Sequence, residues 1–116
     1  MKDHIYEETR PWGNFRRFTS NEPSTVKIIT ILPGQSLSLQ THQKRSEFWH
    51  ILSGNGVVDI DNVGSEALKG SEFFIEIGQT HRATAHDNPL EILEVAFGEF
   101  DESDISRIED KYGRAK

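Results

Sequence analysis

Apolar and polar positions alternate along most of this chain with a period of about two, in short runs. TVKIITIL (25–32), SLSLQTH (36–42) and SEFWHIL (46–52) come first, then VVDID (57–61), NVGSEALKG (62–70) and SEFFIEIG (71–78). HRATAHD (81–87) and LEILEVAFG (90–98) complete the series. Turn signals separate the runs: Asn21-Glu22-Pro23-Ser24, Pro33-Gly34, Ser53-Gly54-Asn55-Gly56, Gly78 and Asp87-Asn88-Pro89. The stretch at 53–56 predicts a tight hairpin, and Lys27 reads as a solvated position in its strand. Short strands in succession with no helix among them predict an all-β sandwich or barrel.

The ends differ from the middle. Residues 1–11 are polar and predict an arm, while Trp12, Phe15 and Phe18 around Gly13 predict a first strand with aromatic packing. A site role for Arg10 or Trp12 is the alternative there. The barrel is expected over 12–98, in a single domain spanning 1–116. Over 101–116, Asp101 and Ser103 resemble helix N-caps, the first turn is acidic, and Ile105 and Ile108 form a narrow stripe. A short C-terminal helix over about 103–110 is predicted, with Tyr112-Gly113-Arg114 leaving it as a surface tail or folding back over the barrel mouth.

Composition narrows the function. The 116 residues suit one core, and a formal charge of −6 argues against a general nucleic-acid or membrane surface. With no cysteine there is no disulfide framework, thiolate metal site or cysteine nucleophile. The N-terminal MKDHIYEETRPWG has no apolar signal-peptide core, and no run approaches the roughly 18 apolar residues of a membrane span. A cytoplasmic protein is expected.

The chemistry concentrates between Gly34 and Gly54. Gln40 and His42 lie on one face of a strand by parity, and Glu47 follows after a polar break that would turn the chain back beside them. His81 lies 34 residues beyond Glu47, after the Gly78 turn. An amide oxygen, two imidazoles and a carboxylate on one inner surface suit a divalent metal of intermediate hardness, and collecting them requires a closed or nearly closed sheet.

These residues resemble the cupin motifs. Gly34, Gln40, His42, Glu47 and Gly54 match G-x5-H-x-H-x4-E-x6-G, with Gln40 where the first histidine usually stands. Gly70, Gly78 and His81 match G-x5-P-x-G-x2-H-x3-N, with Glu76 and Ala85 replacing the proline and asparagine. More narrowly, RPWGNF, LSLQTHQKRSEFW, His81-Arg82, LEILEV and IEDKYGR are similar to the cupin domain of type II phosphomannose isomerases. That family usually has histidines where Gln43, Lys44 and Phe48 stand. Its cupin domain commonly follows a mannose-1-phosphate guanylyltransferase, a half not present in this sequence, so a freestanding copy is expected. The resemblance implies a small cupin barrel, a double-stranded β-helix or jelly roll.

It also implies a metal-dependent isomerase of mannose 6-phosphate and fructose 6-phosphate, working through an enediol. Gln40, His42, Glu47 and His81 would hold zinc, manganese, iron, cobalt or nickel. Arg45 and Arg114, then Arg82 and Lys44, are the candidates for the phosphate, with Arg45 and Arg114 given catalytic roles. Trp49 shares the parity of Glu47 and would wall the sugar ring or pack the core, whereas His50 faces the other way. Glu94, Glu109, Asp110 or a hydroxide on the metal could be the base. Two other functions remain open: a non-catalytic module that binds a sugar phosphate or nucleotide sugar, with a separate guanylyltransferase as partner, or a metal-dependent oxygenase. A homodimer burying Phe48, Leu52 and Phe73 is expected, with no nucleic-acid or membrane partner.

Overall fold

The structure is a computed structural model that describes residues 5–101 and 103–109. It is all-β in these residues. The strands are β1 (Tyr6–Arg10), β2 (Gly13–Arg17), β3 (Ser24–Ile31), β4 (Leu39–Thr41), β5 (Arg45–Ser53) and β6 (Asn55–Ile60). They continue with β7 (Val63–Leu68), β8 (Glu72–Ile75), β9 (His81–Ala85), β10 (Leu90–Gly98) and β11 (Ser106–Glu109). One sheet runs β3-β10-β5-β8, a second runs β11-β4-β9-β6-β7, and β1-β2 form a separate hairpin. No helix among the described residues is long and apolar enough to cross a membrane.

The two larger sheets enclose a core of Ile31, Trp49, Ile51, Val58, Ala67, Ile75, Ala83, Ala85, Leu90 and Ile92. Parity explains who contributes. On β5, Arg45, Glu47, Trp49 and Ile51 are all buried, and on β10 the buried Ile92, Glu94 and Ala96 stand opposite Ile51, Trp49 and Glu47 across the ladder. A smaller cluster lies on the outer side of that sheet, where Phe48, Val95 and Phe97 are buried beneath Ile5, Phe18 and Phe74. Phe18 stacks on Phe48 at 5.5 Å between ring centroids, and Arg16 lies over both rings. Glu72 takes Arg16 on one side and His50 Nδ1 on the other, at 2.7 Å. Residues 6–10 of the expected arm thus belong to a hairpin fastened over an aromatic cluster. Phe48, expected on a dimer face, is fully buried within the chain, while Phe73 packs on the main core and Leu52 is half-buried.

Three further expectations are corrected. Residues 106–109 form strand β11 where a helix was expected, and pair antiparallel with β4, Arg107 opposite Gln40. The residues expected to start the helix are engaged elsewhere: Asp101, a cap candidate, accepts from the amide of Ser103, the other candidate, and Asp104 accepts from the amides of Gln43 and Lys44. A helix of this length has little stability alone, and β4 offers a backbone edge instead. Ser53-Gly54-Asn55 is a corner and no hairpin, because β5 and β6 belong to different sheets. Finally, Lys27 points inward with Ile29 and Ile31, and Val26 and Ile28 face solvent at 58% and 60% exposure. Asp110, Tyr112, Gly113 and Arg114 lie outside the described residues.

Candidate metal centre

Because β4 and β5 lie in different sheets, Glu47 meets His42 and His81 from across the barrel interior. It had been expected beside them on one sheet. His81 opens β9 directly opposite Gln40 on β4, and His42 follows the last residue of β4. All three residues are buried, and one ligand atom from each lies within 4.8 Å of the others. Glu47 Oε2 is 3.5 Å from His42 Nε2, and Glu47 Oε1 is 3.5 Å from His81 Nε2.

The backbone orients both imidazoles. His42 Nδ1 lies 2.6 Å from the Asp104 carbonyl and His81 Nδ1 lies 3.1 Å from the Gln79 carbonyl. A carbonyl only accepts, so each Nδ1 carries the proton and each Nε2 turns a lone pair toward Glu47. Burial lowers the pKa of both rings, that of His81 to about 4, and keeps them neutral. Glu47 is raised by burial, against the pull of Arg45, and its Oε1 has no hydrogen-bond partner. Two neutral imidazole nitrogens and an orphaned carboxylate oxygen are the donor set a divalent ion of the zinc or first-row type accepts. The residues fit the metal that the motifs imply.

The cavity around them has a volume of about 180 Å³ and is lined also by Lys27, Ile29, Leu37, Gln40, Arg45, Trp49 and Glu94. A larger open groove of about 770 Å³ lies by Thr30, Ser53 and Glu91, but its lining includes no imidazole or cation. Gln40 spends its amide nitrogen on Ser38. Trp49 packs edge-on against His81 and donates its indole N–H to Glu94 Oε2 at 3.0 Å. Glu94 is 3% exposed, and its Oε1 has no hydrogen-bond partner. Burial raises its pKa, and the charge of Glu47 raises it further.

The cations expected on a phosphate are dispersed. Arg45 is buried and gives Nε to Glu47 at 3.0 Å, one terminal nitrogen to the Asp101 carbonyl at 3.3 Å, and the other toward His42 Nε2 at 3.2 Å. Arg82 alternates outward from His81 and pairs with Glu109 at 3.1 Å. Lys44 is exposed, 3.9 Å from Glu99. Trp12 is 72% exposed at the hairpin tip, and Arg10 pairs with Glu8. Sequence reasoning missed three residues near the centre: Lys27, Phe100, whose ring lies under both Lys27 and Arg45, and Arg107, whose Nε is buried without a partner. Both faces of β3 carry apolar residues, so parity alone gave no signal for Lys27.

Residues 1–110 match the family described as "Mannose-6-phosphate isomerase C-terminal". The chain is 40% identical over 110 residues to the alginate biosynthesis protein AlgA of Pseudomonas aeruginosa, covering 93% of this chain and 23% of that one. It is 35% identical over 114 residues to the mannose-1-phosphate guanylyltransferase ManC of Salmonella typhimurium, covering 96% and 24%. It thus spans about a quarter of these curated relatives. Among solved structures, a double-stranded β-helix protein from Klebsiella pneumoniae superposes with a TM-score of 0.66 at 20% identity, over 79% of this chain and 78% of that one, which is a likeness of fold. With the family match running from the N-terminus through β11 and taking in every residue of the centre, the chain belongs to the mannose-6-phosphate isomerase C-terminal family and has its cupin fold.

Proposed function

We propose that the chain is a divalent-metal-dependent sugar-phosphate isomerase acting between mannose 6-phosphate and fructose 6-phosphate. The observation that carries this reading is the meeting of His42, Glu47 and His81 with a second buried carboxylate, Glu94, in one cavity. Aldose–ketose isomerisation moves a proton between adjacent carbons through an enediol. It needs an electrophile at the carbonyl and a group that takes the proton and returns it.

In the proposed roles His42, Glu47 and His81 hold the ion, and the amide oxygen of Gln40, not used in the bonds to Ser38, is the fourth donor. Bound there, zinc, manganese, iron, cobalt or nickel would polarise the substrate carbonyl. Glu94 is the base. Its Oε1 is buried without a hydrogen-bond partner, 3.7 Å from the Lys27 ammonium, while Trp49 holds Oε2 and so fixes the carboxylate plane. Burial and the neighbouring Glu47 charge raise its pKa, which suits a carboxyl that must accept a proton and give it back. Glu109 is exposed and paired with Arg82, which makes it a poorer choice. Trp49, Ile29 and Leu37 supply apolar wall that keeps water from the enediol.

The positions where this chain departs from the family's histidines support the reading. Gln43 and Lys44 are exposed, and Phe48 is buried in the outer aromatic cluster, so none of the three lines the cavity. The name of the ManC relative, a mannose-1-phosphate guanylyltransferase, supports a separate guanylyltransferase as the partner.

The test is a coupled assay on metal-reconstituted protein, mannose 6-phosphate in and fructose 6-phosphate read out. Turnover that vanishes with chelator and with Glu94→Gln is expected. A folded, metal-loaded chain that turns over nothing with any of the five metals would overturn the isomerase and leave a sugar-phosphate-binding module.

A further inference from the structure

We propose that Lys27 is the anion-binding residue of this cavity and that Arg45 is not. The proposal rests on the reading of the cavity as a sugar-phosphate site. Arg45 has each of its three nitrogens engaged, on Glu47, His42 and Asp101, and its guanidinium lies 4.3 Å from the centre of the Phe100 ring. Turning it toward a phosphate would strip the counter-charge from a carboxylate that is 1% exposed.

Lys27 is placed differently. It stands on the inner face of β3, directly across the ladder from Glu94. Its side chain is 40% exposed, so it runs from the cavity wall to the mouth, where the ammonium lies 5.1 Å from the Phe100 ring. Its contact with Glu94 Oε1 is long, 3.7 Å, and it makes no hydrogen bond among the described residues. An ammonium has three donors, so it can keep that ion pair and still hold a phosphate.

Electrostatics favours this position. The cavity holds two buried carboxylates, Glu47 and Glu94, which repel an incoming dianion. Arg45 answers Glu47. A second cation must stand between Glu94 and the phosphate, and Lys27 is the lining residue that does. The ligand class is a small phosphomonoester whose sugar end enters the cavity and whose phosphate stays at the mouth. Arg107, across from Gln40 on β11, is the rival, but it does not line the cavity.

The experiment is calorimetric titration of the metal-loaded chain with mannose 6-phosphate and with mannose. Wild type, Lys27→Met, Lys27→Arg and Arg107→Met are compared, with metal content and melting measured on each. Wild type should prefer the phosphorylated sugar. Lys27→Met should reduce that preference by about tenfold or more with metal content unchanged, and Lys27→Arg should recover part of it. A Lys27→Met chain that keeps the wild-type preference, or a preference lost in Arg107→Met alone, would overturn the proposal. Should Lys27→Met fail to fold, Lys27→Met with Glu94→Gln leaves no unpaired buried charge and carries the same binding test. Wild type that does not distinguish the two sugars fails the sugar-phosphate reading itself, and Lys27 with it.

Discussion

Nε of Arg45 donates to Oε2 of Glu47 over 3.0 Å, and both side chains are buried on the inner face of β5. The pair compensates a carboxylate that burial alone would push toward its neutral form. Removing one partner of such a pair leaves the other charge uncompensated, at a cost of about 3–5 kcal/mol. Arg45→Ala should therefore lower the urea midpoint by that equivalent, with an unchanged m-value. An unshifted midpoint would mean that the pair contributes nothing to folding and would return Arg45 to the ligand.

The two imidazoles should be needed individually for the metal. His42→Ala and His81→Ala each remove an Nε2 within 3.5 Å of Glu47. Bound zinc or cobalt, counted by elemental analysis after dialysis, should fall well below one per chain in each variant while the far-ultraviolet spectrum remains that of a β-protein. Asp104→Ala should weaken the metal less, by about 10- to 100-fold, because the carboxylate that ties the 101–105 segment to Gln43 and Lys44 also sets the carbonyl that orients His42. Unchanged metal content in either histidine variant would take that residue out of the coordination sphere.

Burial gives the centre a definite pH response. The His81 pKa is about 4 in the folded chain against 6.5 ordinarily, so between those values the unfolded chain binds a proton that the folded chain refuses. The stability gained by keeping His81 neutral is fully present above pH 6.5 and is lost as pH falls through about 4, an effect of about 3 kcal/mol. His42 acts in the same direction. Glu47 and Glu94 act oppositely, because a carboxyl with a raised pKa takes its proton more readily when folded. An NMR titration in chelator should show the His81 ring titrating near 4. A midpoint near 6.5 would place it in water-like surroundings.

The grouping of His42, Glu47 and His81 was legible from the motif spacing and the closed sheet it requires, and the structure brings the three together, with Glu47 from the opposite sheet and not beside the pair. What failed depended on partners distant in sequence. In β3 both faces carry branched apolar residues, Val26 and Ile28 outward, Ile29 and Ile31 inward, so parity could not say which side Lys27 shares. Asp101 and Asp104 carry the same capping chemistry whether they cap a helix or a loop, and only the edge of β4 decides between them. Glu94 is one of several candidates for the base, and what sets it apart is the bond from Trp49, 45 residues away. Phe48 looks like exposed strand face until the hairpin that covers it is in place.

The corner at Gly54 ties the fold to the metal. It carries the chain from β5, which holds Glu47, into β6, which pairs with β9 and so positions His81. Its φ is +93°, a conformation that side chains rarely adopt, and a Cβ there would lie 2.0 Å from the Pro89 carbonyl oxygen. Both costs fall on backbone that cannot rotate away. Gly54→Ala should therefore lose about 3 kcal/mol or more, from strain and overpacking together. Gly78 is the control, since its φ is +85° but an added Cβ meets nothing within 4 Å. Gly78→Ala should cost only the backbone term, roughly 1–2 kcal/mol. Thermal melts of the two variants, with metal occupancy measured on each, separate the contributions. Gly54→Ala should melt lower than Gly78→Ala and hold less metal, because a displaced corner moves Glu47 and His81 apart. Equal melting of the two would mean that the Pro89 carbonyl yields, and that the corner does not set the distance between the sheets.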